Sequence, residues 1–130
     1  MSFLLDTCTI SAHIRRPAGL PARFVQYSGR LYLSSMALAE LYVLAYRLDD
    51  PTARLNAIAE VSRDEVAVID FDANSARVAS RLRAELLRRG AGVPSIDLLI
   101  GAVAYDMTLV THNSADFLPI PGLRLTDWLT

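Results

Sequence analysis

The sequence predicts an α/β sandwich in which helices cover both faces of a parallel sheet of four or five strands. Three observations carry that prediction. Short apolar runs of strand length recur along the chain. Segments with helical periodicity separate them, and strands that alternate with helices pair in parallel. Finally, 130 residues, 52% of them hydrophobic, suit one domain, 1–130, with a single core.

The elements follow in order. Residues 2–5 form an apolar run ending in Asp6, as a buried strand would. Pro17, Gly19 and Pro21 mark a break. Residues 21–28 suit a short helix, with Ala22, Phe24 and Val25 available for packing, and residues 31–33 a second strand. Residues 36–48 read as a helix, because Ala37, Leu41, Leu44 and Leu48 keep its period. Asp50-Pro51 opens another helix running to about Arg63, with proline in the first turn. Residues 65–69 alternate like a strand. Asp72 caps a long helix over residues 73–89, which Gly90 terminates. Pro94-Ser95 starts a helix over residues 96–106. Residues 108–110 and 123–125 complete the strands.

Composition excludes several chemistries. All thirteen basic residues are arginine, against fourteen acids, for a net charge of −1. Without lysine there is no P-loop cation, no Schiff base and no lysine general base. The near-neutral balance argues against a protein that coats nucleic acid by bulk attraction. No apolar run approaches the ~18 residues that span a bilayer, so no membrane partner is expected. The start, Met1-Ser2-Phe3-Leu4-Leu5-Asp6, lacks the basic residues and long apolar stretch of a secretory leader, so a cytoplasmic location is expected. Cys8 is the single cysteine, which precludes an internal disulfide and is expected to be a small buried apolar residue. His13 and His112 are too few for a histidine-based metal site.

Four acids stand out by position. Asp6 ends the first strand, and ligands of open parallel sheets bind beyond the carboxyl ends of the strands; a helix cap would explain it equally. Glu40 lies mid-helix on the border of the Ala37/Leu41/Leu44 stripe, where an acid can also reach solvent. Asp97 sits in the first turn of a helix that is apolar nearly all round. The helix dipole favours an acid there, but a buried helix leaves few solvent-facing positions for it. Asp116 follows the strand at residues 108–110, on the ligand side of the sheet, or caps a short turn. Carboxylates that converge raise one another's pKa, and a hard cation resolves the repulsion. Oxygen-only ligation points to Mg²⁺ or Mn²⁺, and the matching chemistry is phosphodiester hydrolysis.

These residues resemble the PIN-domain ribonucleases, specifically the VapC-type toxins of VapBC toxin–antitoxin pairs. The matching pieces are Leu4-Leu5-Asp6-Thr7, Ala39-Glu40-Leu41 and Val93-Pro94-Ser95-Ile96-Asp97-Leu98-Leu99-Ile100-Gly101-Ala102, then Leu109-Val110-Thr111-His112-Asn113-Ser114-Ala115-Asp116-Phe117 and Pro121-Gly122-Leu123. Their order and their span, from residue 4 to about residue 128, carry the likeness. The resemblance implies a PIN-like three-layer α/β/α sandwich and an endoribonuclease dependent on Mg²⁺ or Mn²⁺. It implies Asp6, Glu40, Asp97 and Asp116 as catalytic metal ligands, with Thr7, Thr111 and Asn113 as hydrogen-bonding neighbours. It also implies an RNA substrate, a cognate antitoxin that blocks the acidic cleft, often with an arginine, and a homodimer. Cys8 departs from the commoner asparagine or serine, at the cost of a polar contact at most.

Arg77, Arg81 and Arg88 share one side of the long helix, beside a Val78/Leu82/Leu86 stripe. They are candidates for RNA-backbone contacts, or a solvated face in which Arg81 pairs with Glu85. Tyr42 and Tyr46, one helical turn apart, suit an interface or ordinary packing, and Trp128 is expected to tie down the C-terminus. Two other functions compete. A phosphotransfer domain also places an aspartate at the first strand's end, but needs a lysine. A catalytically inactive PIN-like module would bind RNA or protein only, and would keep an acidic cluster without using it.

Overall fold

The computed structural model describes residues 1–15, 20–92, 100 and 106–129. Five strands form one sheet: β1 (Phe3–Leu5), β2 (Leu31–Ser34), β3 (Ala67–Ile69), β4 (Thr108–Val110) and β5 (Arg124–Thr126), in the spatial order β3-β2-β1-β4-β5. Every pairing is parallel. The described helices are α1 (Thr7–Ile14), α2 (Leu20–Gln26), α3 (Ser35–Tyr46), α4 (Thr52–Asp64) and α5 (Ala73–Arg88), with a 3₁₀ turn at Ser114–Phe117.

The central strands of the sheet are buried on both faces. Successive side chains of a strand point to opposite faces, yet Leu4 and Leu5 are both wholly buried, as are Leu109 and Val110. A parallel sheet with helices on each side requires this, and it explains why the strands read as continuous apolar runs. In register, Leu5 lies between Leu33 and Val110. The residues that follow them, Asp6, Ser34 (the last of β2) and Thr111, therefore emerge at one edge. β1 is also where the sheet's order reverses, with β2 and β3 on one side and β4 and β5 on the other. A crevice forms at such a switch point, beyond the carboxyl ends of the strands.

Local chemistry sets the helix boundaries, at α5 as the sequence predicts. The Ser34 hydroxyl caps α3, accepting from the Ala37 amide at 3.1 Å. Asp72 caps α5 by accepting from the Ser75 amide at 2.8 Å. Gly90, at φ +74°, ends that helix with a left-handed residue, and Ala91 N–H donates back to the Leu86 carbonyl at 2.9 Å. Trp128 does tie down the C-terminal segment: it stacks on Tyr27, with centroids 5.6 Å apart, and meets Phe3 and Phe24 edge-on or tilted.

Several details differ from expectation. α1 carries no periodic signal, because Thr9, Ile10, Ser11, Ala12 and His13 are all buried; it is enclosed rather than amphipathic. The core stripe of α3 is Ala37, Leu41 and Ala45, whereas Leu44 is 41% exposed and Leu48, beyond the helix, 45%. Two alanines let α3 approach α1 and α4 closely, which displaces the stripe from the bulkier Leu44. On α2, Leu20 and Phe24 turn inward while Ala22 and Val25 face out. In α5 the buried stripe is Ala79, Leu82 and Leu86, and Glu85 pairs with Arg89 rather than with Arg81. The helix expected over residues 96–106 falls largely outside the described residues.

Candidate active site

The crevice at the switch point is a small cleft of about 70 Å³ lined by Asp6, Thr7, Cys8, Glu40, Ile100, Asn113 and Phe117. Asp6 enters it because β1 ends at Leu5 and α1 starts at Thr7, so Asp6 is both the strand's exit and the helix's cap. Its Oδ1 accepts from the Thr9 amide at 2.8 Å, and its own amide donates to the Val110 carbonyl at 3.1 Å. The helix cap that the sequence offered as an explanation is therefore present, and the same buried carboxylate lines the cleft.

Glu40 comes from the middle of α3 and is half-buried. The Thr7 hydroxyl donates to its Oε2 at 2.7 Å, joining the first turn of α1 to α3. The Asn113 side-chain amide reaches the cleft from the segment after β4 and contacts Cys8 Sγ at 3.7 Å. Thr111 is fully buried and does not line the cleft; its Oγ1 accepts from the Asn113 amide at 3.0 Å, which fixes the turn that delivers Asn113.

Cys8 corrects an expectation. It is exposed, because the first turn of α1 opens onto the cleft instead of the core. Its thiol is pushed above the usual 9.0, first by partial burial of the sulfur and then by the negative charge of Asp6; Glu40 acts in the same sense, while the Asn113 contact and Arg15 oppose them. The thiol therefore senses both carboxylates. Sequence reasoning did not find Cys8, Ile100 or Phe117 as cleft walls. For Cys8 the available signal was its position two residues after the strand-ending acid.

Asp116 is exposed on the 3₁₀ turn and is not among the residues lining the cleft. Asp97 lies outside the described residues. Among the described residues, no three His, Cys, Asp or Glu side chains gather into a metal-binding group; Asp6 and Glu40 supply two carboxylates to one cleft. Arg77, Arg81 and Arg88 are exposed on α5, and Arg81 borders a separate groove with Val78, Leu82 and Glu85. A larger cavity, of about 390 Å³, is elsewhere, beside His13, Phe24 and Glu65. There His13 is buried, stacked on Phe24 and paired with Glu65 at 3.0 Å.

The donor set fits a hard divalent cation. Each carboxylate commits one oxygen to a local hydrogen bond and retains a second for coordination, and oxygen ligands suit Mg²⁺ or Mn²⁺. Thr7 and the Thr9 amide hold both groups in place.

A parallel sheet with Asp6 and Glu40 in a cleft at its switch point defines an α/β domain with an acidic site. The sequence matches the PIN domain over residues 3–118, and the chain belongs to that family, in its VapC branch. It is 34% identical to the tRNA(fMet)-specific endonuclease VapC of Shigella flexneri over 98% of each chain. Its structure matches that of DNA-bound VapBC from Salmonella typhimurium with a TM-score of 0.92 and 32% identity, covering 98% of each chain. VapBC2 from Rickettsia felis, bound to a promoter DNA fragment, aligns with a TM-score of 0.90 and 27% identity, covering 98% of this chain and 99% of that one. No described helix is long and apolar enough to cross a membrane.

Proposed function

We propose that this chain is the endoribonuclease toxin of a type II toxin–antitoxin pair, cleaving RNA with water activated by Mg²⁺ or Mn²⁺. The observation that carries the reading is the shared cleft of Asp6 and Glu40, each fixed by a hydrogen bond, in a chain without lysine. Asp6 and Glu40, with Asp97 and Asp116, would hold the metal. When bound, it supplies a water of lowered pKa and positive charge for the developing oxyanion. The chain's own groups orient and position: Thr7 holds Glu40, the Thr9 amide holds Asp6, and Thr111 sets Asn113 at the rim. Arg77, Arg81 and Arg88 are proposed contacts to the RNA backbone.

A full-length relative named for tRNA(fMet) makes initiator tRNA the first substrate to try. Solved relatives that are VapBC complexes support a cognate antitoxin as partner. A homodimer is supported by the outer side of α3, where Val43, Leu44 and Tyr46 are exposed, beside a Tyr42–Tyr46 ring contact at 6.5 Å. The setting is the cytoplasm, where RNA and antitoxin are.

The test is Asp97→Asn. The variant should lose Mg²⁺-dependent cleavage of a tRNA(fMet) transcript and growth arrest while keeping the wild-type circular dichroism. Without metal it should melt no lower than wild type, since one repulsive charge is gone. Cleavage at the wild-type rate would remove Asp97 from the site.

A further inference from the structure

The described lining of the cleft contains two carboxylates and no cation. A polyanionic strand approaching it meets repulsion, so a nuclease needs a positive group close to the cleft but outside the acidic wall. α1 carries one. Along this helix and its C-cap the exposed residues are Cys8 and Arg15, while residues 9–13 are buried. The two are seven residues apart. At about 100° and 1.5 Å per residue they lie within about 20° of one another, about 10 Å apart along the axis. The helical phase holds to the end, because Arg15 is the C-cap with αR backbone (φ −76°, ψ −6°). Cys8, in the cleft, and Arg15 thus stand exposed at the two ends of one side of α1, with Ser11 and Ala12 buried between them.

We infer that Arg15 is a substrate-positioning residue that binds a backbone phosphate of the RNA strand a few nucleotides from the bond being cut. The inference rests on the ribonuclease reading and deepens it. Arginine suits the role, since its planar fork donates two parallel hydrogen bonds to a phosphate. The role differs from that proposed for Arg77, Arg81 and Arg88, which lie on α5, because Arg15 shares a helix with the acidic cleft and sets the strand's register on it.

The experiment measures affinity for a tRNA(fMet) transcript against salt, using full-length Asp6→Asn chain with and without Arg15→Ala, so that cleavage does not interfere. One lost phosphate contact should lower the slope of log K against log salt by about 0.7 to 0.9 and weaken binding several-fold. In the active chain, Arg15→Ala should raise KM several-fold with kcat nearly unchanged, and Arg15→Lys should recover most of the loss. Equal salt slopes for the two chains would overturn the inference. So would a fall in kcat and melting temperature at constant KM, which a structural role predicts, or loss of antitoxin binding with unchanged RNA affinity. If the wild-type chain binds the transcript but cuts no RNA, the ribonuclease reading fails, and the slope comparison still decides whether Arg15 holds a phosphate.

Discussion

The Thr7 hydroxyl donates to Glu40 Oε2 at 2.7 Å across 33 residues of sequence. The bond ties the first turn of α1, which Asp6 caps, to the middle of α3. A half-buried glutamate on a long flexible stem would otherwise sample several rotamers. Held by Thr7, it keeps one oxygen engaged and its carboxylate directed at the cleft that it shares with Asp6.

Removing that bond should therefore affect activity more than stability. A hydrogen bond to a charged group contributes about 1.5–3 kcal/mol when well sheltered. At a half-buried glutamate the lower end applies, so Thr7→Val should lower stability by about 1.5 kcal/mol. RNA cleavage should fall by about tenfold or more through kcat, as expected when a positioned group is released. Thr7→Ser retains the hydroxyl and should retain most of the rate. Chemical denaturation and initial-rate measurements on the three chains check this.

Asp6 caps α1 and lines the cleft with one side chain, and two substitutions separate the cap from the proposed catalytic role. Asp6→Asn keeps a cap oxygen for the Thr9 amide but removes the charge. It should fold with near-wild-type stability and fail to cleave RNA. Asp6→Ala removes both, and should lose a further ~1 kcal/mol, as N-cap deletions typically do. Urea midpoints measured alongside a cleavage assay distinguish the two; equal stabilities would mean that the cap contributes nothing.

Cys8 reports on the cleft's charge. Burial of the sulfur, then Asp6, raise its pKa above the usual 9.0, and only the thiolate is nucleophilic. At pH 8 the chain should react with iodoacetamide more slowly than a free cysteine does. Neutralising Asp6 removes one of the raising influences, so Asp6→Asn should shift the pH profile of alkylation downward and speed the reaction at pH 8. An unshifted profile would place the Asp6 charge too far from Cys8 for the cleft described.

Much of the fold was legible because its signals are local. Asp72 and Gly90 bracket α5 by capping and positive φ, and the apolar runs at β1, β2 and β4 announce a sheet buried on both faces. α1 was not legible because enclosure on nearly every side erases periodicity; Asp6 as a cap was its one trace. Glu40 was placed beside Leu44 on a 3.6-residue argument, but close packing of Ala37 and Ala45 chose a different inward stripe. The strand-end rule found Asp6, and the switch point explains why. The pairing of Glu40 with Thr7 and the opening of Cys8 onto the cleft depend on how α1 and α3 meet, which no spacing within either segment encodes. Asp116 followed the same strand-end rule, yet its 3₁₀ turn leaves it exposed and off the described cleft wall.

The most direct measurement is cleavage of a tRNA(fMet) transcript by wild type and Glu40→Gln as Mg²⁺ or Mn²⁺ is titrated into metal-stripped protein. Glu40→Gln keeps an oxygen for Thr7 and should fold normally, but removes half the described carboxylate pair. A metal-binding acidic cleft predicts that wild type cuts only with metal and stops on adding EDTA, and that Glu40→Gln is at least about a hundredfold slower and needs more metal, as loss of a metal ligand entails. Cleavage that persists in EDTA, or a Glu40→Gln chain that matches wild type at every metal concentration, would contradict it.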